Sequence, residues 1–321
     1  MPIVPASPHR VVALALEGVV LLDLASPTHV FGHCGAPHYS FRLAAIRPGP
    51  VRSSTGLDVL ATDGIDALDQ ADTIVVPGIG PDTDPVGFGA AAAAIARAHR
   101  NGARVMSICT GAFVLAEAGV LDGRRATTHW ASADRLATRY PGVSVDPTVL
   151  YVDEGSVLTS AGVAAGLDLC LHVVCRDHGA AHAAYIARRT VVAPHRDGGQ
   201  AQFLLRPSGD PISAGASLEP TRRWALDRLE ERLDVPTLAR QACMSPRSFA
   251  RRFRQETGTT PAQWMLQQRT HAAQTLLETT DLPVEHVASR TGFGSATSLR
   301  THFGRRLATT PTAYRRAFRQ R

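Results

Sequence analysis

Lysine is absent from this chain of 321 residues, and all 34 of its basic side chains are Arg. That choice follows genomic base composition as much as physics, so no functional reading rests on it. Cysteine is scarce. The five at positions 34, 109, 170, 175 and 243 form no C-x-x-C pair and no metal-ligand spacing with the 13 His. The pattern argues against a disulfide framework or a sequence-coded metal site, and it fits a reduced, cytoplasmic setting with no metal or cofactor. No window approaches roughly 18 uninterrupted apolar residues, and no basic segment followed by a long apolar run opens the chain. The expectation is a soluble intracellular protein with no membrane partner. Its length suggests two domains, each large enough for its own core.

What is present is unevenly spread. Residues 218–321 carry 18 Arg against 9 acids, a net +9, whereas residues 1–217 carry 16 Arg against 19 acids, a net −3. A basic segment joined to a mildly acidic one is the electrostatic footprint of a nucleic-acid module, because phosphate contacts release counterions and supply most non-specific affinity.

The basic third also repeats itself. Ser245, Ser248, Phe249, Phe253, Thr259, Thr260, Pro261 and Trp264 return fifty residues later as Ser295, Ser298, Leu299, Phe303, Thr309, Thr310, Pro311 and Tyr314. In the first copy Leu238, Ala239 and Ala242 share a helical face. Met244-Ser245-Pro246 then interrupts, and Phe249 and Phe253 sit four apart on a second helix opened by a Ser cap. In the second copy Val284, Val287 and Ala288 face inward, Thr291-Gly292-Phe293-Gly294 turns, and Ser295 caps a helix burying Leu299 and Phe303. Two helices joined by a tight turn make a helix-turn-helix, expected at about 237–257 and again at 284–307. Between them Pro261–Thr279 holds no internal Pro or Gly. It predicts a helix about 27 Å long at 1.5 Å per residue. That is near the ~34 Å of one DNA turn, so two recognition helices on one side of a duplex can enter successive major grooves.

Before this region the pattern is that of an α/β domain over residues 1–194. Arg10–Leu16, Thr73–Val76 and Arg104–Ile108 are apolar runs of strand length, Tyr39–Ile46 alternates, and Leu57–Ala61 is a further candidate strand. Residues 143–160 read as short strands around a turn at Asp153-Glu154-Gly155. Helices are expected at Ser26–His33, Gly87–His99, Gly111–Ala118, Ala131–Arg139, Ala164–Asp177 and Ala180–Val191. Strands buried on both faces and alternating with helices imply a parallel sheet covered on both sides. Residues 195–217 dissolve into Gly, Pro and Ser and read as a linker in which Phe203-Leu204-Leu205 packs on one domain. Glu219–Leu233 is expected to open the all-α C-terminal domain, 218–321, as a helix.

Ser107-Ile108-Cys109-Thr110-Gly111 runs a strand straight into a helix through a Cys, the layout of a nucleophile elbow. Such a residue stands at the carboxyl end of the sheet, where open α/β folds bind ligands. The helix N-terminus there favours a thiolate. Asp23, following the first strand, reaches the same crevice, and Thr110 and His129 are the other polar residues assigned to this pocket. The competing readings are a buried structural Cys and a satisfied structural His. Placement alone makes Cys109 pocket-lining rather than catalytic, and no residue is assigned a catalytic role.

These residues carry a family likeness. Residues 218–321 resemble the AraC/XylS family DNA-binding domain, including Val287-Ala288-Ser289-Arg290-Thr291-Gly292-Phe293. Residues 10–190 resemble the PfpI-like branch of the class I glutamine amidotransferase-like fold, at Cys109–Ala116 and Ala126-Thr127-Thr128-His129-Trp130. The fusion is similar to GlxA-type regulators. Within these it is most like the AdpA-like group, at Thr159-Ser160-Ala161-Gly162, Asp168–His172 and Ala187-Arg188-Arg189. The resemblance implies a sequence-specific transcriptional regulator, an activator acting on promoter DNA, homodimeric through its N-terminal domain. RNA polymerase and a small-molecule effector are its implied partners. It puts Arg247 and Arg251 at the base-reading positions of the first recognition helix, where Arg pairs with guanine O6 and N7. Thr297, Arg300 and Thr301 match in the second helix, whose short side chains suit phosphate positioning better than direct readout. Arg252, Arg254, Arg305 and Arg306 are expected at phosphates. The alternative is a Cys-dependent enzyme of isonitrile hydratase type, since Asp23, Cys109 and Thr110 match the active positions of that offshoot. The His that the peptidase branch needs directly after its Cys is replaced by Thr110, and the later His-Glu pair of the glutaminase branch is missing.

Overall fold

The computed structural model describes residues 7–80, 88–192, 217–257, 259–307 and 309–319. The expected linker falls almost wholly outside them. The chain divides into two compact units, Met1–Val173 with Tyr185–Gln202, and Val174–Ala184 with Phe203–Arg321.

The first unit is built on one six-stranded sheet. Its strands are β1 (His9–Leu14), β2 (Tyr39–Ala44), β5 (Thr73–Val76), β6 (Arg104–Ile108), β9 (Tyr151–Asp153) and β10 (Val157–Ser160). They lie in the order β2-β1-β5-β6-β10-β9, with all pairs parallel except β10 and β9. Thr73–Val76 is buried along its whole length, as a strand covered on both faces must be. The remaining strands form two small ribbons, β3 (Gly49–Arg52) with β4 (Asp58–Ala61), and β7 (Arg125–Ala126) with β8 (Ser144–Val145). The strand expected at Leu57–Ala61 therefore forms, but in a hairpin beside the main sheet.

The helices of this half of the chain are α1 (Leu21–Pro27), α2 (Phe88–Arg100), α3 (Ala112–Glu117), α4 (Ala133–Arg139), α5 (Ala164–His178) and α6 (Ala180–Thr190). Helix α2 turns Phe88, Ala91, Ala94, Ile95 and Ala98 inward, the spacing of one helical face. The helix expected at Ser26–His33 begins earlier, at Leu21, so that Asp23 lies in its first turn rather than in the loop before it; Thr28–Cys34 continues as a π-helical turn. Among the described residues no helix is long and apolar enough to cross a membrane.

The second unit holds α7 (Glu219–Leu226), α8 (Val235–Gln241), α9 (Pro246–Thr257), α10 (Pro261–Thr279), α11 (Val284–Arg290), α12 (Ala296–Leu307) and α13 (Pro311–Arg319). The fifty-residue repeat is structural. Ser245 Oγ accepts the Ser248 N–H at 3.2 Å and Ser295 Oγ accepts the Ser298 N–H at the same distance, capping α9 and α12 alike. Thr260 and Thr310 cap α10 and α13 in the same way, each with Pro at the first helical position. Helix α7 is seven residues shorter than expected, because the chain turns at Asp227–Glu230 and directs the Leu229 and Glu231 carbonyls to Arg269. Val174–Ala184 groups with this unit rather than with the α/β domain. There the Glu278 carboxylate accepts the backbone N–H groups of Ala180 and Ala181 at 2.8 and 2.7 Å.

Candidate functional site

Helix α9 is amphipathic around two buried rings. Phe249 and Phe253 face the core, while Arg247, Arg251 and Arg254 are exposed at spacings of four and three, which puts them along one outer face. Among the described residues nothing hydrogen-bonds or pairs with Arg247 or Arg251, so both guanidinium groups are available to a ligand. Arg252 is different. It is half-buried and its Nε donates to Glu256 Oε1 at 2.9 Å, while Glu256 Oε2 also accepts the Leu218 N–H at 3.0 Å. The expected phosphate contact at Arg252 is thus engaged within the domain, an i,i+4 pair that fixes the start of α7 to α9.

Helix α12 buries Leu299 and Phe303 and exposes Thr297, Arg300, Thr301, Arg305 and Arg306. The outer face is mixed: Thr301 donates its hydroxyl to the Thr297 carbonyl at 3.0 Å, and Arg300 pairs with Glu285 of α11 at 3.3 Å. Between the Phe293 ring and the cations Arg305 and Arg306 lies His302. Burial, then the charges of those two Arg, hold its imidazole below the ordinary range. The second face therefore offers two exposed cations near its end and two hydroxyl side chains near its start, against three Arg on the outer face of α9.

In the α/β unit the expected pocket residues do meet. Cys109 directly follows β6 with φ of 56°, the left-handed conformation of an elbow, and is buried. Asp23 Oδ1 accepts the Val163 N–H at 2.7 Å, and Val163 is itself at φ of 50°. Two non-glycine residues in this conformation, one of them β-branched, flank a single carboxylate, and such strain clusters at functional sites. The backbone approaches closely. A Cβ on Gly78 would overlap Asp23 Oδ2 and stand 2.9 Å from Cys109 Cβ, and one on Gly162 would overlap Cys109 Cβ and lie 2.8 Å from its Sγ. Thr110 is committed to the loop after β5, its hydroxyl donating to the Ile79 carbonyl at 2.7 Å and accepting the Ile79 N–H at 2.8 Å. Thr128 Oγ1 donates to the Cys109 carbonyl at 2.8 Å, which brings the next residue, His129, within electrostatic reach of Asp23.

The electrostatics oppose a reactive thiol. Burial, then the charge of Asp23, pushes the Cys109 thiol up from 9.0 to about 12, against the weaker help of the Thr110 N–H. Burial also raises Asp23 above the ordinary carboxylate value, although the Val163 N–H, the Cys109 thiol, the Gly78 N–H and His129 all favour its charge. At neutral pH Cys109 is a thiol, not a thiolate, which is the wrong state for a nucleophile. The partners of Asp23 at Gly78 and Val163 lie far from it in sequence, and only the two glycines and the apolar strand ends nearby hint at them.

The comparisons with known proteins agree with both halves. Residues 9–176 match the DJ-1/PfpI family and residues 238–317 a helix-turn-helix domain. The HTH-type transcriptional regulator CdhR of Pseudomonas aeruginosa is 30% identical over 311 residues, covering 93% of this chain and 89% of that protein. The chain belongs to the AraC-type transcriptional regulators that carry a DJ-1/PfpI domain. A regulator of this kind binds DNA through the helix-turn-helix unit described above. An AraC family transcriptional regulator from Pseudomonas putida shares the α/β fold in its crystal structure, with a TM-score of 0.53 at 23% identity over 57% of this chain and all of that one. The isonitrile hydratase of Pseudomonas putida is 37% identical over 164 residues, 49% of this chain and 67% of the enzyme. The α/β half is thus shared between regulators and an enzyme, whereas the full-length match is to a regulator.

Proposed function

We propose that the protein is a transcriptional activator that works as a homodimer in the cytoplasm, with α9 lying in the major groove of promoter DNA. Arg247 and Arg251 read bases there, and Arg254, Arg305 and Arg306 take phosphates. Thr297, Arg300 and Thr301 position α12 in the next groove, where their short or already paired side chains carry less sequence information. The N-terminal domain supplies dimerisation and answers to a small-molecule effector at the Asp23–Cys109 pocket, and RNA polymerase is the further protein partner. What carries this reading is the contrast on α9, where Arg252 is paired within the domain while Arg247 and Arg251 are exposed side by side. A bidentate Arg–guanine pair is worth roughly 1–3 kcal/mol of discrimination.

The α/β domain acts in this reading without chemistry of its own, because its Cys is held protonated by burial and by a neighbouring carboxylate. The test is selection of duplexes from a randomised library by the purified full-length chain at fixed salt. Enrichment of one motif, with affinity falling steeply as salt rises, supports the reading. Retention of all sequences alike removes base reading, and measurable isonitrile turnover that disappears in Cys109→Ala removes the non-enzymatic assignment.

A further inference from the structure

The helix-turn-helix unit holds two separate apolar cores, one around Phe249 and Phe253 and one around Phe303 and Tyr314. Helix α10 contributes to both, Met265 to the first and Ala273 and Leu277 to the second. Arg269 stands between these positions, four residues from Met265 and four from Ala273, and its side chain is not spent on solvent. Its Nε donates to the Leu229 carbonyl at 3.1 Å and its Nη2 to the Glu231 carbonyl at 2.6 Å. Both acceptors lie in the segment directly after the first module's opening helix, which closes where the Arg228 N–H bonds back to the Ala225 carbonyl. Burial alone lowers the guanidinium from its usual value, with no carboxylate contributing.

The second module reaches the same point through its backbone. Gly292, in the turn between α11 and α12, has φ of 74°; a Cβ there would overlap the Leu229 carbonyl oxygen and stand 2.6 Å from Arg269 Nε. The turn that launches the second recognition helix therefore lies against the first module's loop and the guanidinium that grips it. A fork of directed donors on a rigid plane suits such a junction, and an ammonium does not reproduce it.

We propose that Arg269 is a positioning residue that sets the separation and twist between α9 and α12, and with them the spacing of the two DNA segments the protein engages. This rests on the reading that both helices meet one duplex. In its absence the modules keep α10 and the approach of the Gly292 turn to Leu229 but lose the guanidinium that grips the Leu229 and Glu231 carbonyls, and each module can still fold around its own rings.

The experiment uses the full-length chain and the duplex that wild type selects from a randomised library. Variants of that duplex carry one or two base pairs inserted between the segments protected by α9 and α12, and a further duplex keeps the α9 segment alone. One inserted pair rotates the second segment by about 34–36°. Wild type is expected to lose roughly tenfold in affinity on that insertion, a cost comparable to a mismatched base pair. Arg269→Met keeps the apolar stem and removes the donors. It is expected to bind all spacings within about threefold of each other while holding the α9 segment as wild type does. Gly292→Ala, which forces the second turn away from Leu229, is expected to lose the wild-type spacing preference in the same way. Retention of the full wild-type preference by both variants overturns the proposal. So does an equal loss on the α9 segment and the full site, which marks Arg269 as a stabilising residue only. Failure of wild type to select any sequence instead removes the DNA reading beneath it.

Discussion

Phe253 meets Trp264 edge-on, with ring centroids 5.6 Å apart, and fifty residues later Phe303 meets Tyr314 edge-on at 5.7 Å. Each pair joins the second helix of a helix-turn-helix to the helix that follows it, α9 to α10 and α12 to α13. The repeat thus duplicates a packing solution as well as a pattern of letters.

Because the two pairs sit in separate cores, their losses are independent. Phe253→Ala and Phe303→Ala each remove a ring that is at most 1% exposed, a change that costs about 3–5 kcal/mol. Denaturant unfolding of the single and double variants checks this. The double variant is expected to show the sum within about 0.5 kcal/mol, and a large coupling would mean that the cores act as one.

The caps make a smaller, matched pair. Thr260→Ala and Thr310→Ala each leave one N–H of the following helix without its hydroxyl partner, at a cost of about 1 kcal/mol. Equal shifts in unfolding midpoint are expected, with Thr260→Ser near wild type.

How much of this was legible in the sequence depended on the distance over which each feature is determined. Caps, turn glycines and the Phe pairs are local, so both helix-turn-helix modules and their repeat could be read directly. The apolar strands were equally plain, since burial on both faces leaves no polar alternation to confuse. The early end of α7 was not, because the Leu229 carbonyl is satisfied by Arg269, forty residues on. Asp23 and Val163 meet across 140 residues, and no local signal announces that contact. Arg252 and Glu256 are four apart, a local spacing that reads as an ion pair as readily as a phosphate contact.

Cys109 is expected to resist alkylation. With its thiol at about 12, the thiolate fraction is minute at pH 7, and iodoacetamide is expected to label the exposed Cys243 first. Peptide mass spectrometry across pH gives the rate at Cys109, which is expected to climb without a plateau through pH 10. A plateau below pH 9 would show a thiol the fold does not protect. Asp23→Asn removes the charge that opposes the thiolate and is expected to speed labelling at any fixed pH.

Asp23 also links stability to pH. Its folded value lies above its unfolded one, so folding holds a proton that the unfolded chain releases. The stability it contributes is complete below the ordinary carboxylate value and is lost as pH rises through the raised folded value. Asp23→Asn is expected to flatten that part of the profile in calorimetric melts of the full chain. An unchanged slope would mean that the carboxylate is as well solvated folded as unfolded.

The most direct measurement is genome-wide occupancy of the tagged protein beside a variant carrying Arg247→Ala and Arg251→Ala. The expected result is a shared motif under the wild-type peaks that the double variant loses, with both proteins equally abundant and folded. The same peaks and motif for both proteins would contradict base reading by α9.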